Sequence, residues 1–411
     1  MRKSRRPARV LILVQNLPVP FDRRVWQEAT SLTAAGYQVH VICPRTGDYP
    51  RRRELIDGIR IYRYAPGPEA DSSLAAYLVE YAVAIAAQLF LAIRIRLRRR
   101  IDVVHVCNPP DLLFLCALPL MALGAKLIFD HHDACPELMV AKGRTPDSRL
   151  VRLMTLFERL TYWFATVSIE TNGSFRKIAL SRGGMRPEDV FVVRSAPAAG
   201  RFAGAEADEQ WRRGRKHMVG YVGIMGAQDG LDYLLDAAAI IAGLGRDDVQ
   251  FVVVGDGTEL ARLRERAGDL GLGRQVEFTG LVSDDKLLGS ILATADVCVS
   301  PDVANAMNDI STMNKIMEYM ALGKPVVQFD LTEGRVSAGD ASLYAAPNDA
   351  RSLADCILQL VDDEALSTRM GEVGLQRMST SLRWEAQVPE LLAAYERALG
   401  RPARNHREDD Q

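Results

Sequence analysis

Cysteine is scarce in this chain: Cys43, Cys107, Cys116, Cys135, Cys298 and Cys356 are the only six among 411 residues, and no two form a C-x-x-C pair. Mostly set in apolar segments, they fit reduced, buried thiols of a cytoplasmic protein better than a disulfide framework. Net charge is almost absent, since 51 basic side chains meet 52 acidic ones and leave −1. No global field attracts nucleic acid, so none is expected as a partner and any basic surface must be local. A G-x-G-x-x-G fingerprint is also missing, and the first apolar run continues into QNLPVPFDRR, so neither half reads as a nicotinamide or flavin domain.

Long hydrophobic runs are few. The basic start MRKSRRPAR leads into VLILV for only five residues before the polar Gln15, too short for a signal-peptide core. Residues 74–93 are apolar except for Glu80 and Gln88, then meet Arg94, Arg96, Arg98, Arg99 and Arg100. That length would just cross a bilayer. Strand–helix alternation resumes on both sides, however, and a crossing would strand the first three β-segments on the far face. A crossover helix packed on a sheet is the simpler expectation. Peripheral contact with the inner membrane surface through the arginine-rich 94–100 segment stays open beside it.

What is present is ordinary globular composition, 48% hydrophobic and 25% charged, in a chain long enough for two cores. Strands are expected at 9–14, 37–43, 58–64, 102–107 and 126–130, with short ones near 166 and 190, and helices at 23–35, 74–98 and 148–164. Residues 195–215, SAPAAGRFAGAEADEQWRRGR, show no buried pattern and read as a linker. Alternation then resumes, with strands at 219–223, 250–254, 276–279, 296–299 and 325–329. Helices are expected at 231–244, from 259, from 285, and at 312–322, 350–361, 364–378 and 384–399. This is an α/β chain of two doubly wound parallel-sheet halves, with the crevice between them as the default ligand site. The expected division is a basic extension 1–8, an N-terminal domain 9–197, a linker 198–216, a C-terminal domain 217–380, a final helix 381–400 and a polar tail 401–411.

Residues 308–328, NDISTMNKIMEYMALGKPVVQ, carry the most chemistry. A polar loop enters a helix with one acidic residue, Glu318, in an apolar stretch. Ser311 or Thr312 can cap that helix, and its free N–H groups suit a diphosphate. Lys315, beside Asn314 in the first turn, can add a charge-assisted contact of about 1.5–3 kcal/mol. The phrase EYMALGKPVV resembles the C-terminal signature of glycosyltransferase family 4, retaining enzymes of the GT-B fold. The resemblance implies that two Rossmann-like domains face one another across a cleft, with closing helices packing back toward the N-terminal domain. It also implies that the C-terminal half holds a nucleotide diphosphate sugar as co-substrate. In the family two glutamates usually stand eight positions apart. Here the later one matches Glu318, implied to grip the donor ribose, whereas the earlier position is Ile310, with Asp309 adjacent as the substitute acid.

Residues 220–236, GYVGIMGAQDGLDYLLD, are similar to the strand–loop–helix that opens the family's donor domain. Gly223, Gly226 and Gln228 are therefore placed at the donor, the glycines letting backbone come close. Family members often carry Arg and Lys in this loop, where Ile224 and Asp229 stand here, so phosphate binding must lean on Lys315, backbone N–H groups or an arginine of the N-terminal half. Gly255, Asp256 and Gly257 end another strand, where ligands sit in open α/β sheets. Leu281, in TGLV, is expected near the base.

The N-terminal half should hold a saccharide or lipid-linked saccharide acceptor. Asp22, Arg23 and Arg24 open its first helix, and FDHHDACPE follows a strand with Asp130, His131, His132 and Asp133. Adjacent histidines on an extended chain point apart, so no metal site is expected there. The phrase resembles the D-x-H-E segment of related transferases, which implies that Asp130, His132 and Asp133 lie beside the reaction centre. No D-x-D occurs in the chain, and the expected reaction, with His132, Asp133 and Asp309 as its catalytic candidates, uses no metal or other cofactor. Expected products are cell-surface polysaccharides or glycoconjugates. A nucleotide-sugar 2-epimerase and a catalytically silent sugar-nucleotide-binding subunit are the alternatives.

Overall fold

The structure, a computed structural model, describes residues 6–67, 74–198 and 200–401. The chain divides into two compact units, Met1–Ser195 with Gln387–Gln411, and Ala196–Ala386.

The first unit runs β1 (Arg9–Leu13), α1 (Arg23–Ala34), β2 (Gln38–Pro44), β3 (Arg53–Ile56), β4 (Ile59–Tyr64), α2 (Leu74–Arg98), β5 (Val103–Cys107), α3 (Phe114–Ala122), β6 (Lys126–His131), α4 (Cys135–Ala141), α5 (Arg149–Phe164), β7 (Val167–Glu170), α6 (Gly173–Ser181) and β8 (Val190–Val192). Its eight strands lie in the order β3-β4-β2-β1-β5-β6-β7-β8. Central strands such as β5, VVHVC, are buried throughout because helices cover both faces of a parallel sheet. The sheet departs from the expected all-parallel form at one edge, where β3 pairs antiparallel with β4. Asp57 and Gly58 turn that hairpin with φ of 48° and 81°, the two-residue connection that a D-G pair favours. Helices α3, α4 and α6 were likewise not expected, since their apolar stretches are short and lack clear periodicity.

The second unit runs β9 (His217–Val222), α7 (Leu231–Gly243), β10 (Val249–Val254), α8 (Leu260–Asp269), β11 (Val276–Gly280), α9 (Asp285–Thr294), β12 (Val297–Ser300), α10 (Ala306–Ile310), α11 (Asn314–Ala321), β13 (Val326–Phe329), α12 (Thr332–Ala338), β14 (Ser342–Ala345), α13 (Ala350–Asp362) and α14 (Glu364–Ser379). Six parallel strands are ordered β11-β10-β9-β12-β13-β14. The order reverses between β9 and β12, and a ligand crevice in such a sheet opens at the carboxyl ends of the strands flanking that reversal. Helix α15 (Trp384–Ala398) belongs to the first unit from Gln387 onward, where Tyr395 Oη lies 2.7 Å from His105 Nδ1.

Residues 198–216 fall in the second unit rather than standing apart from both. Arg212 forks onto Asp296 at 2.6 and 2.9 Å, and Asp208 N donates to Thr294 Oγ1 at 2.8 Å. Arg212, one of the charges that made this stretch look solvated, is thus a partner of the exit of α9. All six cysteines are free thiols. Among the described residues no helix is long and apolar enough to cross a membrane.

Candidate functional site

At the carboxyl ends of β9, β10 and β12 three loops are stitched together by backbone. Gly223 N donates to Val254 O at 3.1 Å, Met225 N to Asp256 O at 3.0 Å and Val303 N to Gln228 O at 3.0 Å. Asn308, buried, donates to both Gln228 O and Val303 O at 2.8 Å. The seam requires glycine. A Cβ on Gly255, whose φ is +138°, would stand 1.8 Å from Gly223 O, and one on Gly257 would stand 2.5 Å from Met225 O. The close approach read from these glycines is therefore an approach of loop to loop. Around Gly223 and Gly226 the space next to Cα is filled by the Tyr221 hydroxyl and the Gln228 amide. Gln228 Nε2 donates to Asp229 Oδ2 at 3.0 Å, and Asp256 accepts from Gly257 N at 2.7 Å.

Lys315 projects from the first turn of α11 under this seam. Its Nζ lies 2.7 Å from Asp302 Oδ1, 3.7 Å from Asp229 Oδ1 and 4.9 Å from the Tyr221 ring centroid. Burial alone would favour a neutral amine, but Asp302, Tyr221 and Asp229 hold its pKa above the ordinary lysine value. Burial pushes the Asp229 carboxyl up, against the pull of Lys315. The acid standing where the family often has lysine is thus matched by a lysine from another element. The N-cap of α11 is Met313, which makes no side-chain cap hydrogen bond, and Ser311, expected as the cap, instead donates Oγ to Met307 O at 2.7 Å. The expected helix start at residue 312 is corrected to Asn314, because the preceding residues close the separate short helix α10. Thr312 is half-buried and Asn314 exposed beside this start, and Leu281 is 72% exposed at the end of β11.

One turn beyond Lys315, Glu318 is buried against Arg201, whose guanidinium also reaches Asp285 at 2.9 Å. Arg201 lies in the stretch read as linker, and sequence reasoning missed it because its partners sit 84 and 117 positions away. Asp309 is engaged elsewhere, accepting from Thr332 N at 2.8 Å and Thr332 Oγ1 at 2.9 Å.

In the first unit, Arg24 is buried with Asp130, bonded through Nη2 at 2.7 Å and Nε at 3.2 Å, and lies 3.3 Å from Glu28. Although burial works against ionising Asp130, Arg24 and His132 hold its pKa well below the ordinary carboxylate value. Burial and Asp130 push Glu28 well above it. His132, half-buried, places Nε2 against Asp130 and 3.1 Å from Arg24 Nε. Asn108 Oδ1 accepts from the backbone N–H of His132 at 2.6 Å and of Asp133 at 3.2 Å, a positioning role with no sequence signal. The Asp133 carboxyl has no hydrogen-bond partner among the described residues, and burial raises its pKa.

Two expectations are corrected here. His131, placed with the acceptor residues, is wholly buried on the other face of β6, with Nδ1 2.8 Å from Tyr162 Oη and 3.1 Å from Glu170, so it cannot touch a ligand. Strand alternation sends Asp130 and His131 to opposite sides, and both sides are covered. Asp130, also expected at the acceptor, is fully buried beneath Arg24, while Asp22 is the N-cap of α1, accepting from Val25 N at 3.1 Å. Arg23 is exposed. His105, Cys107 and Asp130 bring ligand-type atoms within 4.8 Å of one another, from two neighbouring strands. The guanidinium of Arg24 already neutralises that carboxylate, which argues against a dication here.

Two family descriptions match the chain: "Glycosyl transferase 4-like domain" over residues 22–196 and "Glycosyl transferases group 1" over 216–363. The 2-deoxystreptamine glucosyltransferase of Streptomyces kanamyceticus is 25% identical over 393 residues, 92% of this chain and 99% of that protein. The sucrose-phosphate synthase of Thermosynechococcus elongatus superposes with a TM-score of 0.77 at 18% identity, over 96% of this chain and 99% of the other. Anabaena HepE in complex with UDP-glucose gives 0.70 at 16% identity, over 94% and 99%.

Proposed function

Because the chain belongs to the family 4-like glycosyltransferases of the GT-B fold, we propose that it is a retaining, metal-independent enzyme that moves a hexose-type sugar from a nucleotide diphosphate sugar to a saccharide or lipid-linked saccharide. The observation that carries this reading is the pairing of Lys315 with the start of α11 at the carboxyl ends of β9 and β12. The N–H groups at the helix start suit a diphosphate, the group on which charge develops as the glycosidic bond to the donor breaks, and the Lys315 ammonium in the first turn, held in place by Asp302 and Asp229, offsets the two carboxylates beside it. Glu318 accepts the ribose hydroxyls. The UDP-glucose bound by HepE supports a nucleotide-sugar donor. On the first unit His132 and Asp133 serve the acceptor: the half-buried imidazole orients the reacting sugar, and Asp133 offers an open carboxyl group to a hydroxyl. Synthesis of cell-surface polysaccharide or glycoconjugate is the process that fits, and we assign residues 94–100 a contact with the membrane surface.

Isothermal titration with UDP-, GDP- and ADP-sugars tests the donor site. Glu318→Ala is expected to weaken binding of the preferred donor at least about tenfold, the loss of a charged hydrogen bond. His132→Ala is expected to keep that affinity and lower turnover about a hundredfold or more. Unchanged donor affinity in Glu318→Ala overturns the ribose assignment.

A further inference from the structure

A cavity of about 420 Å³ lies in the first unit, lined by Arg9, Arg53, Arg60, Arg94, Arg98 and Arg99. Arg9 opens β1 and Arg60 stands near the start of β4, so the cavity is at the amino ends of the strands, opposite the end where Arg24, His132 and Asp133 gather. Among the described residues no carboxylate lines it. Two acids next to its lining residues are committed elsewhere: Asp102, which accepts from Arg9 N, pairs with Arg6 and Arg100, and Glu54, which follows Arg53, pairs with Arg51 and Arg63. Among the described residues Arg53, Arg60, Arg94, Arg98 and Arg99 have no ion-pair partner. His40, buried on the neighbouring strand, registers this uncompensated charge. Burial, Arg60, Arg99 and Arg9 together lower its pKa to about 4, and neither ring nitrogen has a hydrogen-bond partner.

Six guanidiniums lining one cavity, with no carboxylate among the described residues of its wall, suit phosphate, which arginine binds through parallel N–H bonds. The helix α2, which supplies Arg94 and Arg98 and leads into Arg99, identifies the carrier of that phosphate. Along α2, Val79, Val83, Phe90, Ile93 and Leu97 are exposed, Leu97 by 81% between Arg94 and Arg98, while Leu91 and Ile95 form an apolar wall of the cavity. A soluble phosphate has no use for that stripe. A lipid surface has, because acyl chains cover the apolar side chains while the headgroups meet the arginines.

We propose that this cavity is a binding site for the headgroup phosphate of an anionic lipid, with the exposed stripe of α2 resting in the lipid surface. The proposal rests on the membrane contact assigned above to residues 94–100 and adds Arg9, Arg53 and Arg60, which lie outside that segment. Co-sedimentation of the full chain with vesicles of phosphatidylcholine, alone or mixed with phosphatidylglycerol, separates the two ideas. Wild type is expected to bind only the mixed vesicles. Arg53→Ala/Arg60→Ala is expected to lower the partition coefficient about fivefold per arginine, whereas Arg51→Ala/Arg52→Ala, the same loss of charge outside the cavity, changes it less than twofold. Dihexanoyl-phosphatidylglycerol is expected to shift the His40 imidazole resonances, and pyrophosphate is not expected to displace bound vesicles. If wild type ignores the mixed vesicles, the membrane contact itself fails. If it binds them but both double variants behave alike, or His40 does not respond, the contact stands and the cavity site is overturned. Displacement by pyrophosphate would make the ligand a soluble phosphate and overturn the lipid.

Discussion

Arg24 has left water almost entirely, and its charge is tolerable only because Asp130 takes two of its N–H groups and Val193 O a third at 2.8 Å. Such a pair stabilises little over an apolar one, yet breaking it strands a buried carboxylate. Arg24→Met is therefore expected to cost about 3–5 kcal/mol, and Arg24→Met/Asp130→Leu to recover much of that loss, as measured by urea unfolding. A double variant no more stable than the single one would show that packing, not charge, holds this site. Arg24 and Asp130 were both legible in the sequence as charged residues at strand and helix ends. Their union was not, because 106 positions separate them and nothing local encodes the contact. Arg201 and Glu318 teach the same lesson: the glutamate stands out in an apolar helix, while its arginine hides in a stretch that reads as solvent-exposed.

At the scale of elements, the seam of loops above β9, β10 and β12 depends on backbone conformations that side chains do not permit. Gly230, with φ +70°, would place a Cβ 1.8 Å from Pro301 O, and Gly255 repeats the problem against Gly223 O. Gly230→Ala and Gly255→Ala are each expected to destabilise the second unit by about 1–3 kcal/mol or more and to weaken donor binding, since the loops must part. Gly243, at the end of α7 with nothing within 4 Å of a Cβ, is the contrast: alanine there is expected to be neutral or to stabilise by up to about 1 kcal/mol. Thermal melts with and without nucleotide sugar compare the three. The positions of most strands were legible because continuous apolar runs between turn residues mark buried parallel strands. The edge strand β3 was not, since its exposed face carries Arg53 and Leu55 and its pattern is that of a loop.

Across the whole molecule, pH acts through histidines that the fold has moved in opposite directions. His40 is lowered to about 4, so between the ordinary histidine value and pH 4 the unfolded chain takes up a proton that the folded one refuses, and stability falls as the solution is acidified. His131 is raised to about 9: burial opposes its charge, but Glu170, Glu158 and Asp111 prevail. Its contribution is complete below the ordinary histidine pKa and is lost as pH rises toward 9. Asp111, pushed up to about 7 by burial and Glu158, acts in the same direction at lower pH, its share fading from about 4 to 7. Calorimetric melting temperatures are expected to fall between pH 7 and 9.5, and to fall less in His131→Gln. An equal fall in that variant would remove His131 from the alkaline limb.

By itself the sequence determined the two α/β halves, the positions of most of their strands along the chain and the segment on which Glu318 and Lys315 ride. Those are consequences of local periodicity and of short phrases whose residues are neighbours in the chain. Only the tertiary structure decided which charges neutralise one another, that His131 is walled in while His132 reaches the surface, and that six arginines distant along the chain line one cavity. Electrostatic partnership is a matter of distance in space, and folding brings together groups whose separation along the chain carries no information about it.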